Sequence, residues 1–540
     1  MPPLSILLWI PALAGLLASL LANAGGSGKE VAAPAVSAPE VAGEEAEAPG
    51  VSRSPAEVAA GGIAFIGALI ALGLSIGYIV DYTPHTIGLQ HVTDVTWIRS
   101  LGIHYKLGID GLNVFLVGLT ALLYAAAILA ANLRHWERPR LFYFLFMLSE
   151  SAVLGVFLAQ DLALFYAFFD LMLIPFFFLV GAWGGPGRIR ATIKLVIFTL
   201  VGSLLMLSAV VATGVLVAQS NDTGLNFALS ALHSVPLSQG TQDWLFLFFG
   251  AAFLVKMPAF PLHGWMPDGY RAMPIEVLMV FSGVLSKAGA YGFLRIALPL
   301  FPQAAAHFQT LFLLIALFSI LYGSVMAFTQ TEARLIGGYS SVAQLGFITL
   351  GIFALNPQGT QGALLQMVNH GLVVAPLFFI ILLLSERAGG SEDIRDMGGL
   401  AFRAPVLATF FLIVTLATLA MPGSGNFVGE FLILLGVFSS KIVISIVAFS
   451  GVVMASVYAL RVYIRTMHNR LGPKSQSREL RLADGAVLAP LLLVILFFAL
   501  YPQLALHRSQ RSATAAVAAA QAAANRPAIV VSASVPGGGQ

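Results

Sequence analysis

The stretch VKMPAFPLHGWMPD, residues 255–268, lies in a long apolar run and combines a lysine and a histidine with three prolines. In lipid a charged side chain costs about 2.5–3.5 kcal/mol, and a proline inside a helix frees a carbonyl group that hydrocarbon cannot satisfy. Irregular backbone is tolerated at this depth only where it is buried in protein or lines a hydrated cavity. The stretch therefore predicts an interrupted membrane helix that holds Lys256 beside a hydrated interior.

Composition indicates the class of protein. Of the 540 residues, 58% are hydrophobic and only 10% are charged, and apolar runs follow one another through the chain. A soluble domain could not bury this much apolar surface, so we expect an all-α, polytopic protein in a lipid bilayer, with no nucleic-acid partner. The chain has no cysteine, which excludes disulfides, thiolate zinc sites and cysteine-ligated iron–sulfur clusters. Its histidines lack the spacing of a metal site, so we predict no metal and no cofactor bound by this chain.

Apolar runs predict about fourteen transmembrane helices, each near the length that crosses a bilayer. Their spans are 4–23, 62–80, 112–131, 141–159, 161–182, 192–217, 241–260, 275–297, 306–329, 334–354, 362–384, 404–439, 441–466 and 485–503. The first could be a signal peptide, but no basic residue precedes it, so we expect it to be retained. The twelfth is too long for one straight helix, and its MPGSGN motif, residues 421–426, predicts a second interruption. Matching interruptions are typical of inverted repeats, here helices 4–8 and 9–13.

Loop composition predicts domain organisation and orientation. We divide the chain into a first helix (1–23), a disordered Ala-, Pro- and Glu-rich insertion (24–60), helices two and three (61–140), two five-helix halves (141–300 and 301–470), a last helix (471–505) and a low-complexity tail (506–540). Arginine and lysine concentrate in the connections after odd-numbered helices, whereas the connections at 221–243 and 354–361 contain neither. Because basic loops stay in the cytoplasm, both termini are predicted on the outer side.

Five ionisable residues are predicted at membrane depth: Asp170, Lys256, Lys287, His370 and Glu430. One such residue alone could be a structural partner or a snorkelling side chain, but five on five helices are typical of an ion pathway. Burial disfavours the charged form of a carboxylate and of a lysine alike, so a neighbouring charge can switch the protonation state of either group. An imidazole can pass a proton through either ring nitrogen. We therefore predict a proton relay in which Asp170 and Lys256 form a pair.

Three further residues carry weaker signals. His263, at the end of the seventh helix, is as consistent with a half-buried structural histidine as with a relay residue. Glu150 and Glu276 are predicted near the membrane interfaces, where a structural role is favoured. The GSGNFVG motif lacks the glycine spacing and the preceding strand of a phosphate-binding loop.

The sequence around these positions resembles a known family. The motifs KMPAFPLHGWMPD, LSKAGAYGFLR, GYSSVAQLGF, QMVNHG and PGSGNFVGEF are similar, in order and spacing, to the antiporter-like membrane subunits of respiratory NADH:quinone oxidoreductase, complex I. The resemblance runs from LGIHYKLGIDGLN to the fourteenth helix. Within the family, the acid at Glu430 resembles subunit M (chain 4), because subunits L and N and the Mrp-type antiporter subunits usually carry lysine there. The long lateral helix of subunit L is also missing from this sequence.

The resemblance implies a proton-pumping subunit of the membrane arm in a bacterial plasma membrane, driven by quinone reduction in neighbouring subunits. NADH, FMN, iron–sulfur clusters and quinone would bind to those partners, and subunits of the L and N types would lie beside this chain. It implies that Lys256 is the lysine of the broken helix and Asp170 its acidic partner. Lys287 would be the central lysine, His370 the onward link and Glu430 the exit residue.

Three positions depart from the family pattern. Asp170 and Gln344 stand where the family usually has glutamate and histidine, and Glu276 lies in a segment that is usually less acidic. The shorter Asp170 is expected to lengthen the ion pair, and Gln344 removes a titratable link that a water molecule can replace. An Mrp-type cation/proton antiporter subunit, a hydrogenase-linked membrane subunit and a scaffold without transport are the alternatives.

Overall fold

The computed structural model describes residues 1–21, 53–86, 88–233, 237–473, 475–476 and 478–525, which form a mostly helical bundle. Most of the predicted insertion at 24–60, and residues 526–540 of the predicted tail, lie outside the described residues. The end of that insertion belongs to a helix, which begins at Pro55 rather than at residue 62. The Ser54 hydroxyl caps this helix by accepting a hydrogen bond from the Glu57 N–H, and a proline occupies its first turn.

The helices follow the predicted spans closely. In chain order they are α1 (Leu4–Leu21), α2 (Pro55–Asp81), α3 (Val114–Ala131), α4 (Pro139–Leu158), α5 (Leu162–Leu171), α6 (Leu173–Trp183), α7 (Arg188–Asn221), α8 (Leu229–Leu232), α9 (Gln239–Lys256), α10 (Met266–Ala272), α11 (Ile275–Val280), α12 (Lys287–Gly292), α13 (Leu298–Leu300), α14 (Pro302–His307), α15 (Gln309–Thr329), α16 (Ala333–Ile352), α17 (Pro357–Arg387), α18 (Pro405–Thr418), α19 (Gly425–Phe438), α20 (Ile442–Met467), α21 (Leu482–Leu500) and α22 (Gln503–Ala524). With α5–α6 and α11–α13 each taken as one segment, twelve spans in the described residues are long and apolar enough to cross a membrane. The total of fourteen stays a prediction.

Three segments form the centre of the bundle. The most apolar windows of α11–α13 and of α16 are 100% buried, and that of α17 is 94% buried, whereas α1, α2 and α20 are only 33% buried. Because lipid covers the outer helices, their apolar side chains need not face the protein. Lys287, Gln344 and His370 lie on the three central segments, which places them far from lipid.

Both predicted helix interruptions are present, and a third accompanies them. The first separates α9 from α10 around the prolines of the opening stretch, and the second separates α18 from α19 at residues 419–424. The third, which was not predicted, separates α5 from α6 at Met172. It lies two residues after Asp170, so each of three candidate residues, Asp170, Lys256 and Glu430, lies close to an interruption.

A two-stranded antiparallel hairpin is an addition to the predicted all-α fold. β1 (Gln90–Ile98) pairs with β2 (Ile103–Ile109), and the chain turns at Gly102 with a φ of 61°. The His104 N–H donates to the Asp161 carboxylate over 3.1 Å, which ties the hairpin to the start of α5. The mostly helical membrane fold is confirmed, and the hairpin lies between two predicted membrane spans.

The predicted low-complexity tail is in part a packed helix, which corrects the prediction for residues 506–524. α22 packs against α14 and α17, and it buries small residues at helical spacing: Ala505, Ser509, Ala513, Ala516, Val517 and Ala520. Small side chains let two helices approach closely. The Ser512 hydroxyl also accepts a hydrogen bond from the Gly111 N–H, 3.0 Å away. Alanine-rich composition here forms a helix interface rather than a tail.

Candidate functional site

Lys287 and His370 form a direct contact in the centre of the bundle. The Lys287 ammonium donates to Nδ1 of His370 over 2.8 Å, to the Ser282 carbonyl over 2.6 Å and to the Ser286 hydroxyl over 3.2 Å. Lys287 is 0% exposed and His370 only 4%. The structure thus brings together two predicted site residues that are 83 positions apart. Their relay role stays a prediction.

Local backbone geometry explains how this contact forms. Lys287 lies between two π-helical segments, Phe281–Leu285 and Phe293–Ala297. A π-bulge breaks the regular hydrogen-bond ladder and is frequent at functional sites. Here the Ser282 carbonyl bonds to the lysine side chain. Gly371 lets α17 lie against this segment, because a Cβ there would be 2.6 Å from the Gly283 carbonyl oxygen.

Lys256 is the last residue of α9 and is 4% exposed. Its ammonium lies 3.5 Å from the Phe169 carbonyl oxygen and 4.7 Å from the centre of the Phe169 ring, so a carbonyl dipole and a cation–π contact both face the charge. Side chains satisfy two backbone groups at the helix break that follows. The Trp265 indole donates to the Val255 carbonyl over 3.0 Å, and the Ser319 hydroxyl accepts from the Phe260 N–H over 2.9 Å.

Asp170 does not form the predicted ion pair with Lys256. Among the described residues no salt bridge within 4.0 Å joins the two, and the Lys256 ammonium faces the carbonyl of Phe169, the residue before Asp170. The Asp170 carboxylate instead accepts a hydrogen bond from the Tyr166 hydroxyl, 2.6 Å away and one turn earlier on α5. The structure therefore shows no direct ion pair, and the coupling of the two groups stays a prediction.

Glu430 lies within a cluster of amides. It is 2% exposed, and its Oε1 accepts from the Gln344 amide over 2.8 Å and from the Gln366 amide over 3.5 Å. Gln366 also donates to Oε1 of Gln344 over 2.7 Å. The second carboxylate oxygen, Oε2, has no hydrogen-bond partner among the described residues. Sequence analysis missed Gln366, although its position one turn before His370 on α17 places both on one helix face.

The weaker candidates fall in three different environments. His263 lies in the connection between α9 and α10, 8% exposed, with its ring 5.8 Å from Phe260 and 4.8 Å from Tyr322. Glu276 pairs with Arg134 over 3.1 Å, which supports the structural role favoured for it. Glu150 is 0% exposed, and neither of its carboxylate oxygens has a hydrogen-bond partner in the described part of the chain.

A buried ion pair near the hairpin was not predicted. Arg295 donates to the Asp110 carboxylate over 2.6 Å and to the Tyr291 hydroxyl over 2.9 Å. Only 11% of each charged side chain is exposed. Asp110 and Arg295 are 185 residues apart, so no local spacing signals their contact. In the described residues no group of three or more histidines and carboxylates could hold a metal ion.

Comparison with known proteins gives the family. A family model described as NADH:quinone oxidoreductase/Mrp antiporter, TM, matches residues 159–456. NADH-quinone oxidoreductase subunit M of Rhodobacter capsulatus is 37% identical over 451 residues, which cover 82% of this chain and 87% of that protein. The chain belongs to the NADH-quinone oxidoreductase subunit M family. Subunit M of Escherichia coli strain K12 is also 37% identical, over 81% of this chain and 88% of that protein.

Solved structures share the subunit M fold. A chain of respiratory complex I from Thermus thermophilus with bound NADH is 29% identical, with a TM-score of 0.82 over 95% of this chain and 99% of that chain. A chain of the Mrp complex from Dietzia sp. DQ12-45-1b has a TM-score of 0.75 at 19% identity, over 96% of this chain and 52% of that chain. This second likeness shows the fold alone. The close sequence relatives favour subunit M over the Mrp alternative.

Proposed function

We propose that the chain is a proton-translocating subunit of NADH:quinone oxidoreductase, a translocase subunit with no redox centre of its own. One observation carries the proposal: the centre of a subunit M fold holds a row of buried side chains, with Lys287 on His370 and the amides of Gln366 and Gln344 on Glu430. Ionisable groups at this depth are costly and mark ion pathways. The names of the relatives supply the complex in which such a pathway would work.

Lys287 and His370 would perform the direct transfer step. Their 2.8 Å contact is within the range at which a proton moves between two heavy atoms. Transfer from the Lys287 ammonium leaves a neutral amine beside an imidazolium. A charge on either residue disfavours a second charge on the other. The pair would therefore pass one proton at a time.

Gln366 and Gln344 would position Glu430 rather than carry protons. An amide donates and accepts hydrogen bonds but does not titrate, so it fixes the carboxylate without gaining charge. Gln366 lies one turn from His370 on α17, and it contacts Gln344 over 2.7 Å. Water molecules beside the amides would complete the link from His370 to Glu430.

Asp170 would act on Lys256 through space. The lysine ammonium faces the carbonyl of Phe169, the residue before Asp170 in the chain, so the two groups lie in the same part of the bundle. A proton that reaches Asp170 removes the attracting charge and lets Lys256 release its own proton. We therefore assign Lys256 and Asp170 to the end of the relay that responds to the neighbouring subunit. His263 is a secondary candidate for a relay residue.

The energy for transport would come from partner subunits. Moving one proton against 100 mV costs about 2.3 kcal/mol. We assign NADH, FMN, the iron–sulfur clusters and quinone to those partners, and we propose subunits of the L and N types as neighbours in the membrane arm. Quinone reduction would then drive the relay.

We place the chain in a bacterial plasma membrane as fourteen crossings with two inverted repeats. One face of the bundle, here called the basic side, is formed by four helix ends that lie next to arginine residues. These are the ends of α16, α17, α18 and α20 next to Arg334, Arg387, Arg403 and Arg465, respectively. The excess of arginine and lysine in these connections supports a cytoplasmic basic side and two outer termini.

The test replaces a buried lysine and a matched surface lysine. Lys256→Met removes a charge that is 4% exposed, and Lys194→Met removes one that is 39% exposed and paired with Asp268. Both variants are introduced into the whole complex, and NADH oxidation and proton translocation are measured in membrane vesicles. We expect Lys256→Met to lose proton translocation and Lys194→Met to retain it.

Assembly is checked on native gels so that a folding defect is not mistaken for a transport defect. Unchanged translocation by Lys256→Met in a normally assembled complex would contradict the proposal and favour a scaffold. The likeness to the Mrp complex supports a second candidate, a cation/proton antiporter subunit. Proton movement driven by a sodium gradient without NADH would favour it.

A further inference from the structure

A large cavity, here called the α22 cavity, lies at the end of the bundle opposite to the basic side. Its volume is about 1150 Å³, whereas a ligand pocket typically has roughly 300–1,000 Å³. Its wall is formed by α22, by residues 84–86 and by residues next to the starts of α3 and α13. Arg134, between α3 and α4, pairs with Glu386 beside Arg387 on the basic side. α3 therefore ends at the basic side and begins at the opposite end, where the cavity lies.

The charged side chains of the wall favour an anion. The wall includes two arginines, Arg295 and Arg511, and one carboxylate, that of Asp110. The Asp110 carboxylate already accepts from Arg295 over 2.6 Å, and no salt bridge joins Arg511 to a carboxylate in the described part of the chain. Arg511 donates to the His85 carbonyl over 2.5 Å. Because a guanidinium has five N–H donors, both arginines keep donors for a ligand.

Three more side chains add donors near Arg511. The imidazoles of His85 and His507 lie edge to face in the wall, with ring centres 5.5 Å apart, and each can donate through a ring N–H. Arg508 lies three residues before Arg511 on α22, a spacing at which helix side chains are neighbours. Its Nε is buried and has no hydrogen-bond partner among the described residues. A buried donor without a partner needs an explanation, and an anion beside it supplies one.

The remainder of the wall is mainly apolar. Its apolar residues are Leu112, Leu294, Pro299, Ala515, Ala516, Ala518 and Ala519. The cavity lies beside the point where α2 ends, at Asp81, and α3 begins, at Val114, which is the level of the membrane surface. A ligand that fits both parts of the wall has an anionic head and an apolar body. A phospholipid has both, and basic pockets beside membrane helices bind lipid headgroups.

We propose that the α22 cavity binds an anionic phospholipid. The lipid phosphate contacts Arg511 and Arg295, and the acyl chains begin along the alanine face of α22. A choline headgroup would bring a cation to these arginines, so the site favours phosphatidylglycerol over phosphatidylcholine. The lipid holds α22 against the start of α3. This site is separate from the buried relay and goes beyond the proposed transport function.

The test uses a lipid that can be crosslinked by light. The whole complex is reconstituted in phosphatidylcholine vesicles that contain a small fraction of photoactivatable phosphatidylglycerol, with the reactive group on an acyl chain close to the glycerol. After irradiation, mass spectrometry identifies the labelled peptides of this chain. We expect label on α22, and about fivefold less when the photoactivatable lipid is a phosphatidylcholine.

Three variants separate the charge of the site from its shape. Arg511→Gln should lower the labelling of α22 by about fivefold, the effect of one basic residue at an anionic membrane surface. Arg470→Gln removes an exposed arginine on the basic side and should leave this labelling unchanged. Ala519→Trp keeps both arginines and fills the apolar part of the wall, so it should also lower the labelling. Ala519 is exposed, so this variant tests the site even if Arg511→Gln fails to assemble.

Three results would overturn the inference. Equal labelling of α22 by the two lipids, or by the parent and both cavity variants, would show that the contact is unspecific. Loss of the label when inorganic phosphate is added would assign the cavity to a free anion. Absence of label from α22 in the intact complex would assign it to a neighbouring subunit. Labelling is measured without NADH, so its failure is distinguished from failure of the transport function.

Discussion

Gly429 packs against the amide that contacts Glu430, so the substitution Gly429→Ala tests whether that amide matters for transport. A methyl group at this position would lie 2.4 Å from Oε1 of Gln366 and 3.2 Å from its Cβ. The end of a glutamine side chain can swing away, whereas the two helix backbones need to move little. Gln366 would then lose its contacts with Gln344 and Glu430, at 2.7 Å and 3.5 Å.

The expected effect is small on stability and large on transport. Alanine stabilises a helix interior by about 1 kcal/mol relative to glycine, and a lost neutral hydrogen bond costs about 0.5–1.5 kcal/mol, so the two contributions nearly cancel. A hydrogen bond to a charged group contributes about 1.5–3 kcal/mol. Misplacing the Glu430 carboxylate should therefore slow its proton transfer by about tenfold to a hundredfold, since 1.36 kcal/mol is a factor of ten.

Gly362→Ala is the matched control on the facing helix. A methyl group there would lie 2.7 Å from the backbone nitrogen of Ile433 and 2.9 Å from the Gly429 carbonyl oxygen, so α17 and α19 would have to separate. Overpacking of this kind costs about 1–3 kcal/mol, and we expect less assembled complex. Native gels measure assembly, and vesicle assays measure protons moved per NADH oxidised. Parental proton translocation by Gly429→Ala would refute the reasoning, as would normal assembly of Gly362→Ala.

Three further predictions concern other parts of the chain. Asp110→Asn leaves Arg295 buried without its ion partner and should destabilise the subunit by about 3–5 kcal/mol. The thermal midpoint of the complex should fall, and adding Arg295→Gln to the same chain should partly restore it. Asp170→Glu should keep vesicle proton translocation at or above the parental rate and Asp170→Asn should lower it, because only the first retains a carboxylate that can attract Lys256. Although burial alone raises the pKa of Glu479, three backbone N–H groups, two of them in the first turn of α18, lower that pKa below 4.5. The ionised carboxylate stabilises the folded state above its unfolded pKa, and this stability is lost as the pH falls through the lower folded pKa. We therefore expect Glu479→Gln to be cleaved by protease faster than the parent at neutral pH and at the same rate in acid.

The interruptions could be predicted from the sequence because proline and glycine leave a local signal. Residues 255–268 and 421–426 contain both, and the structure interrupts a helix at each. The interruption at Met172 also has such a signal, since Pro175 cannot donate to the carbonyl of Leu171, four residues earlier and the last residue of α5. All three breaks are therefore signalled by residue type, although the third was not predicted.

Contacts between distant residues were the main limit on predicting the site. Lys287 and His370 were both identified, but their contact depends on a glycine in α17 that lets the helices approach. Asp170 and Lys256 form no direct salt bridge among the described residues, where the Asp170 carboxylate accepts from Tyr166, and their coupling stays a prediction. Gln366 was missed because a buried amide carries no charge to attract attention, although its spacing from His370 is a usable signal.

The amide at Gln344 changes how the second half of the relay should be understood. The family usually has histidine there, which can gain and lose a proton, whereas Gln344 can only donate to Glu430 and accept from Gln366. Proton transfer along the bundle axis from His370 therefore depends on water at this point.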